Sequence, residues 1–363
     1  MIHIGIDQHK RYSQLHAIND NGEVVFNGRV NNSLEEFTQL RNLFSDEPIQ
    51  SVVEASRTWV VYDLLEKLGF NPKVANPLKV KAIAEAQIKT DTIDAQTLTK
   101  LLKADIIPEV HVADKETRRV KNILRQRTWL VKNQTAIKNR IYSIIDRNHI
   151  SCDIGVANIF GVHGRCFLDT VAKELSASES QLLQENIKLL DVIGLHVKAV
   201  NKLLKEELHL TEDIKICKSL PGIGEVFGPT IALEIWDVKR FSSQDKLAGY
   251  AGLSPTTYSS GGKTYHGKLF WQCNKLLRYA FCEAAWSAIR SSVYFRSFYA
   301  RLKKRVGSQK AIVATARKLC EITWHCLKEK RPYEERVYKR RDFKEVKEKH
   351  FKVCQSRCSA TSL

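Results

Sequence analysis

Two carboxylates three residues apart, Asp91 and Asp94, open an amphipathic segment within Lys89-Thr90-Asp91-Thr92-Ile93-Asp94-Ala95. Asp7 closes a short apolar run at the N-terminus, and Glu54 closes a second. The chain nevertheless carries 58 Lys and Arg against 40 Asp and Glu, a net charge of +18. Carboxylates gathered at one place on a basic protein repel one another unless a cation joins them. Mg²⁺ or Mn²⁺ is the oxygen-seeking choice. Two such ions ~3.5–4 Å apart activate an attacking oxygen and stabilise a leaving oxygen at a phosphodiester. The same residues also have plain structural uses. Thr90 or Asp91 can cap a helix, Asp94 can favour its first turn, and Glu54 can be a strand-end surface acid.

The elements that would position these acids follow from the pattern of the chain. Residues 2–7, 12–19 and 23–30 read as three strands, the last two joined at Asp20-Asn21-Gly22, where Asn-Gly favours a tight hairpin. Ser33-Leu34-Glu35-Glu36 has the form of a capping box and predicts a helix to about residue 44. Short strands at 51–54 and 72–75 alternate with helices at 59–68, 79–87 and 91–102. Three antiparallel strands followed by alternating helices and strands predict a mixed α/β sheet. Asp7 and Glu54 then end strands of one sheet, and Asp91 and Asp94 project from one helix face.

Asp114 introduces a long helix to about residue 145, apolar at Val120, Leu124, Ile137, Ile141 and Ile144. Its other side carries Arg118, Arg119, Lys121, Arg125, Arg127, Lys132, Lys138 and Arg140 with few acids opposing them. That is either a solvated face or a phosphate-tracking one. Residues 151–178 read as irregular, with Gly155, Gly161 and Gly164. Leu182, Leu183, Ile187, Leu190, Ile193 and Leu204 mark a second long helix, suited to a coiled-coil-like hairpin, an oligomer contact or an ordinary core. Mainly helical sequence follows from near residue 214 to 328, and a basic tail carries Lys339-Arg340-Arg341. The expected domains are 1–113, 114–212, 213–330 and a tail, 331–363. The fold class is α/β plus all-α.

Composition excludes several classes. No apolar run approaches the ~18–20 residues of a membrane span, and the N-terminus reads as a strand rather than a secretory signal. The expectation is a cytoplasmic, nucleoid-associated protein without a membrane partner. Nine cysteines with no C-x-x-C spacing read as reduced thiols, with Cys354 and Cys358 as a faint metal alternative. The basic balance favours nucleic acid as partner.

Two further motifs bear on chemistry. In Leu220-Pro221-Gly222-Ile223-Gly224, a Gly-x-Gly turn before a helix can hold a phosphate on backbone N–H groups, as in helix-hairpin-helix turns; a tight structural turn is the plain alternative. Thr257-Tyr258-Ser259-Ser260-Gly261-Gly262-Lys263 reads on its residues as a hairpin turn; a serine there is a nucleophile only if something activates it.

Taken jointly, these motifs resemble the Piv-type DNA invertases and the transposases of their insertion-sequence relatives, the bridge-RNA-guided recombinases. The resemblance rests on Gly5-Ile6-Asp7 with Lys10, Glu54-Ala55, the Lys89–Ala95 block, Pro221-Gly222-Ile223-Gly224, and Ala251-Gly252-Leu253-Ser254-Pro255 followed by Tyr258-Ser259-Ser260-Gly261. They occur in the family's order across nearly the whole chain. The resemblance implies an N-terminal RNase H-like domain of the Holliday-junction-resolvase (DEDD) type, a helical-hairpin insertion and a helical transposase domain. It implies that Asp7, Glu54, Asp91 and Asp94 are the metal-site acids. It also implies a serine that forms a transient phosphoserine link to DNA, a role falling on Ser260 with Ser259 as the near alternative. Donor and target DNA, a guide non-coding RNA and a homodimer or homotetramer are the implied partners. Arg118, Arg119, Arg125, Lys132, Gly222, Gly224 and Lys263 are the expected nucleic-acid contacts. The chain departs from many relatives near Arg57, where they carry glycine.

Three rival readings stand beside this one. A hydrolytic resolvase-type nuclease would use the four acids and no serine. An actin-like kinase would share the first strand but needs an Asp-x-Gly-Gly loop that the sequence lacks. An architectural nucleic-acid-binding protein would need none of the acids.

Overall fold

Alternation in the first strand decides what each face of the sheet meets. The computed structural model describes residues 1–44, 47–55, 59–84, 90–151 and 158–335. Arg57, Lys89, Cys152, Gly155, Cys354, Cys358 and the Lys339-Arg340-Arg341 run lie outside the described residues, as does the end of the helix expected at 79–87. The chain divides into two compact units, Met1–Ala113 and Asp114–Leu363.

The first unit holds strands β1 (Ile2–Gln8), β2 (Tyr12–Ile18), β3 (Val24–Asn31), β4 (Ile49–Glu54) and β5 (Pro72–Ala75). Its helices are α1 (Leu34–Leu43), α2 (Val60–Lys67), α3 (Pro77–Ile83) and α4 (Asp91–Lys103). The sheet order is β3-β2-β1-β4-β5. β2 runs antiparallel to β1 and β3, whereas β1, β4 and β5 are parallel neighbours. The mixed sheet expected from the sequence is therefore present.

Ile2, Ile4 and Ile6 face one side and pack with Phe37, Leu40, Val61 and Leu65 of α1 and α2. The alternate residues His3, Gly5 and Asp7 face the other side, as the period of two requires. There Val52 and Ala75 meet Leu98, Leu101 and Leu102 of α4. Gly5 is where α4 crosses β1. A Cβ at that position would lie 2.2 Å from the Ala95 carbonyl oxygen and 2.5 Å from Thr99 Oγ1. The Gly5 N–H donates to Thr99 Oγ1 at 3.0 Å, and that hydroxyl lies 2.8 Å from Ala95 O and 2.9 Å from His16 O. Burial holds the neighbouring His16 below the usual imidazole range, with Lys100 adding to the effect.

Caps set the helix starts. Thr90 takes the cap of α4, its hydroxyl accepting from Ile93 N at 3.2 Å. Ser33 caps α1, accepting from Glu36 N. The reciprocal half of the expected capping box does not form: Glu36 reaches past Ser33 and accepts from the Asn31 N–H at 2.6 Å and from its side-chain amide.

The second unit begins with α5 (Lys115–Arg147), capped by Asp114. It continues with α6 (Val162–Glu174) and α7 (Ala177–Glu207). At 33 residues, α5 is about 50 Å long. Ile137, Ile141 and Ile144 pack on Leu183 and Leu190, and Val120 and Leu124 pack on Leu204. The start of one helix thus meets the end of the other, an antiparallel hairpin. The irregular stretch expected at 151–178 contains α6 instead. Gly164 does not break it: a Cβ there would lie 2.3 Å from the Ile159 backbone, so this glycine serves close packing.

The rest is α8 (Glu212–Ser219), α9 (Phe227–Ile235), α10 (Gln244–Tyr250), the hairpin β6 (Pro255–Ser260) and β7 (Lys263–Leu269), α11 (Lys275–Ser291), α12 (Val293–Val306) and α13 (Ser308–Lys328). Ile214, Leu220, Ile231, Leu247, Phe281, Phe295 and Leu319 belong to its core. Cys217 and Cys320 are buried free thiols, and burial pushes both well above the usual thiol range. Among the described residues, no helix is long and apolar enough to cross a membrane.

Candidate active site

The register of the sheet brings two of the acids level. Ile6 pairs with Val53 across the parallel β1–β4 ladder, so Asp7 and Glu54 are the next residues along on adjacent strands. Both lie on the face that α4 covers. The contact at Gly5 seats Ala95 over β1, and Asp91, one helical turn earlier, falls beyond the strand end near Asp7. Asp94 follows Asp91 by three residues on the same helix.

The structure adds a residue that the sequence reading passed over. Donor atoms of Asp7, His9 and Asp91 all lie within 4.8 Å of one another. His9 Nε2 is 3.3 Å from Asp7 Oδ2 and 3.1 Å from Asp91 Oδ2. It is shielded from solvent, yet lacks the alignment of a hydrogen bond to either. The short distances and the poor angle together describe three donors turned toward one point. Glu54 and Asp94 are not part of that tight group. The signal for His9 was available: Gly5, Asp7 and His9 continue one strand face at a spacing of two. Lys10, the next residue, is exposed.

Neighbours hold the group. Asn32 Nδ2 donates to the His9 carbonyl at 2.8 Å. The His9 and Tyr12 rings lie 4.8 Å apart, and Tyr12 OH donates to Asp91 Oδ2 at 3.4 Å. Arg29 lies over the Tyr12 ring and 3.8 Å from Asp91. Two carboxylates and an imidazole form a donor set that fits Mg²⁺ less well than Mn²⁺, because nitrogen suits the softer ion.

In the second unit, Ser260 ends β6. Gly252 closes α10 with φ +66°, and Leu253 N donates to Ala248 O at 2.9 Å. Pro255 then launches β6, so the Ala-Gly-Leu-x-Pro motif is the hinge from helix to hairpin. Ser260 pairs with Lys263 across Gly261-Gly262, whose φ values of +56° and +75° suit a type I′ turn. Ser259 Oγ lies 3.3 Å from Thr264 Oγ1 on the opposite face.

The expected nucleic-acid contacts divide. Gly222, at φ +80°, packs where a Cβ would lie 2.2 Å from Ala284 O, so it lets the turn sit against α11. Gly224 has open space around it, and its carbonyl accepts from Gly228 N at 2.8 Å; α9 starts only at Phe227. Arg119 pairs with Glu116 and Glu207. Arg125 forks onto Glu234, which is 2% exposed, at 3.0 and 3.2 Å, and Asn274 reaches the same carboxylate at 2.7 Å. Lys132 lies 5.3 Å from the centre of the Tyr279 ring, and Arg118 is half-buried. Much of the basic face of α5 is therefore engaged within its own unit. Lys263 is exposed on the hairpin.

Comparison with known proteins finds transposases along most of the chain. Residues 4–150 match the model of the IS110-type DEDD transposase domain, and residues 214–300 match the model described as Transposase IS116/IS110/IS902 family. The chain is 23% identical over 338 residues to the transposase for insertion sequence element IS1111A of Coxiella burnetii, covering 91% of this chain and 90% of that protein. It is 22% identical to a probable family 20 transposase of Pseudomonas aeruginosa, covering 89% and 96%. The pilin gene-inverting protein of Moraxella bovis is 29% identical over 132 residues, 36% of this chain and 41% of its own. With the acids at one sheet end and the transposase motifs in the second unit, the chain belongs to the IS116/IS110/IS902 transposase family and is a DNA recombinase of the transposase type.

Proposed function

We propose that this transposase cuts and rejoins DNA at the ends of an insertion sequence through a transient phosphoserine, with a guide non-coding RNA selecting the sites. The observation that carries the chemistry is the convergence of Asp7, His9 and Asp91 at the end of β1. Asp7, Glu54, Asp91 and Asp94, with His9, would hold Mg²⁺ or Mn²⁺. A divalent ion bound there supplies charge neutralisation and polarisation at the scissile phosphate. Ser260 loses its proton and its Oγ attacks phosphorus. The bond from phosphorus to the 3′ oxygen breaks, and that oxygen leaves as a hydroxyl after taking a proton. A 3′-hydroxyl of the partner DNA then attacks the serine-linked phosphorus, restoring a phosphodiester and the serine. Bond energy is kept in the link, so the exchange needs no nucleotide cofactor.

The net charge of +18 supports polyanion partners, DNA and RNA alike. Leu182, Leu189, Val192 and Leu203 form an exposed stripe on α7, which supports association of chains into a dimer or tetramer.

The test is covalent capture. The protein is incubated with Mg²⁺, labelled DNA spanning the element's ends and RNA transcribed from its flank, then denatured. Label should stay with the protein, survive Ser259→Ala and vanish in Ser260→Ala and Asp91→Asn. Cut DNA with no link, unaffected by Ser260→Ala, would replace this reading with the hydrolytic nuclease.

A further inference from the structure

The β6–β7 hairpin exposes aromatic rings that no core claims. Side chains alternate along each strand. The pairs Tyr258–Tyr265 and Ser260–Lys263 therefore share one face, and Thr257–His266 and Ser259–Thr264 share the other. Side-chain contacts agree: Thr257 Oγ1 lies 3.2 Å from His266 Nδ1, and Ser259 Oγ 3.3 Å from Thr264 Oγ1. On the first face, Tyr258 is 67% exposed and Tyr265 65%. Gly267 continues that face. A Cβ there would meet the Tyr258 ring at 3.5 Å, so the ring lies across a glycine rather than against the helices. The two pairs are roughly 7 Å apart along the strands.

Charge points to the occupant. Between Asp245 and Glu283 the chain has no carboxylate, but it has Lys246, Lys263, Lys268, Lys275 and Arg278. Of these, Lys263 is exposed and shares the face of the two tyrosines; bare aromatic rings beside a cation, in a stretch without carboxylates, suit a single nucleic-acid strand. The rings can meet base faces only where bases are unpaired, and strand exchange makes such bases beside the cut.

We propose that this face is a platform for single-stranded DNA, on which Tyr258 and Tyr265 stack on bases while Lys263 fixes the adjoining phosphate beside Ser260. Tyr258, Tyr265 and Lys263 are positioning residues. Only the role of Ser260 rests on the phosphoserine reading.

The experiment uses full-length protein and a fluorescein-labelled oligothymidylate longer than the roughly 4–16 nucleotides that one small module occupies. Anisotropy is followed across a salt series, with thermal melts confirming that each variant folds. Tyr258→Ala and Tyr265→Ala should each weaken binding roughly 5- to 160-fold, the range of one lost stacking contact. Tyr258→Phe and Tyr265→Phe should bind like wild type. Lys263→Ala should shrink the salt slope by about 0.7, which the tyrosine variants leave alone. A duplex of equal length should be insensitive to the tyrosines. Alanine variants that bind like wild type, phenylalanine variants as weak as alanine, or equal losses on duplex would overturn the platform. Tighter tyrosine-dependent binding of an RNA of equal length would overturn its assignment to DNA. Covalent capture on the same preparations separates the two readings. A link lost in Ser260→Ala with tyrosine-insensitive binding sinks the platform alone; tyrosine-dependent binding with no link in wild type sinks the phosphoserine alone.

Discussion

The acids of the first unit and the serine of the second are placed by opposite means. Asp7 sits at the end of a central strand, buried on both sides, and Asp91 is set by a helix locked to that strand through Gly5 and Thr99. Ser260 stands on an exposed two-stranded hairpin with a Gly-Gly turn and no core of its own. An isolated hairpin of this kind is marginal in water. On the proposed reading, the acidic centre would be built before substrate arrives, and the hairpin would take its final order from the strand it holds. Rigid charge placement matters where like charges must be kept close, whereas a nucleophile that must meet a moving strand gains from compliance.

The largest expected effect breaks the rigid centre. Asp7→Asn should lower strand exchange by about 10²–10³-fold or more while leaving the thermal melt within a few degrees, measured on the same sample. Equal activity would remove Asp7 from the chemistry. Next, Arg125→Ala removes the fork on the buried Glu234 carboxylate and leaves it the Asn274 hydrogen bond and the charge of nearby Lys121. It should cost about 2–3 kcal/mol in denaturant unfolding of the second unit and leave Mn²⁺ binding by the first unit intact. A surface arginine that merely touched nucleic acid would show no such loss. Third, His9→Ala should weaken Mn²⁺ binding about tenfold, the lower end of what ligand-supporting residues contribute. It should weaken Mg²⁺ less, as followed by titration with Mn²⁺ electron paramagnetic resonance. Equal affinity for Mn²⁺ in the variant would return the site to oxygen ligands alone.

The smallest effect is on pH. Burial depresses His16 in the folded state. The unfolded chain therefore takes up the proton first, and stability is full above the unfolded value of about 6.5. It falls as pH drops from there through the folded value. The urea midpoint of the first unit should decline below about pH 6.5, and His16→Gln should flatten that decline.

The same contrast explains what the sequence disclosed. β5 was expected at residues 72–75 and is found at Pro72–Ala75. α4 was expected from Asp91, and its cap at Thr90 is where the hydroxyl and the first turn predict it. Local patterns of period two and 3.6 carry such information. The pairing of Arg125 with Glu234 spans 109 residues, so a run of basic residues on α5 looked free when much of it was occupied. The long irregular stretch failed as an expectation for a related reason. Residues 151–178 look irregular for their three glycines, but Gly164 makes a close approach to Ile159 that only the packed chain reveals. His9 was legible and missed, because a histidine two residues beyond an aspartate looks ordinary until the helix carrying Asp91 arrives.

Gly5 has a bearing on how mobile elements die. A copy of such a gene can keep its candidate acids and serine and still encode a chain that does not assemble the site. A methyl group at position 5 would lie 2.2 Å from a helix carbonyl and push α4 away from β1, with every candidate site residue still spelled out in the gene. A census of living elements should therefore count this hydrogen among the essential parts.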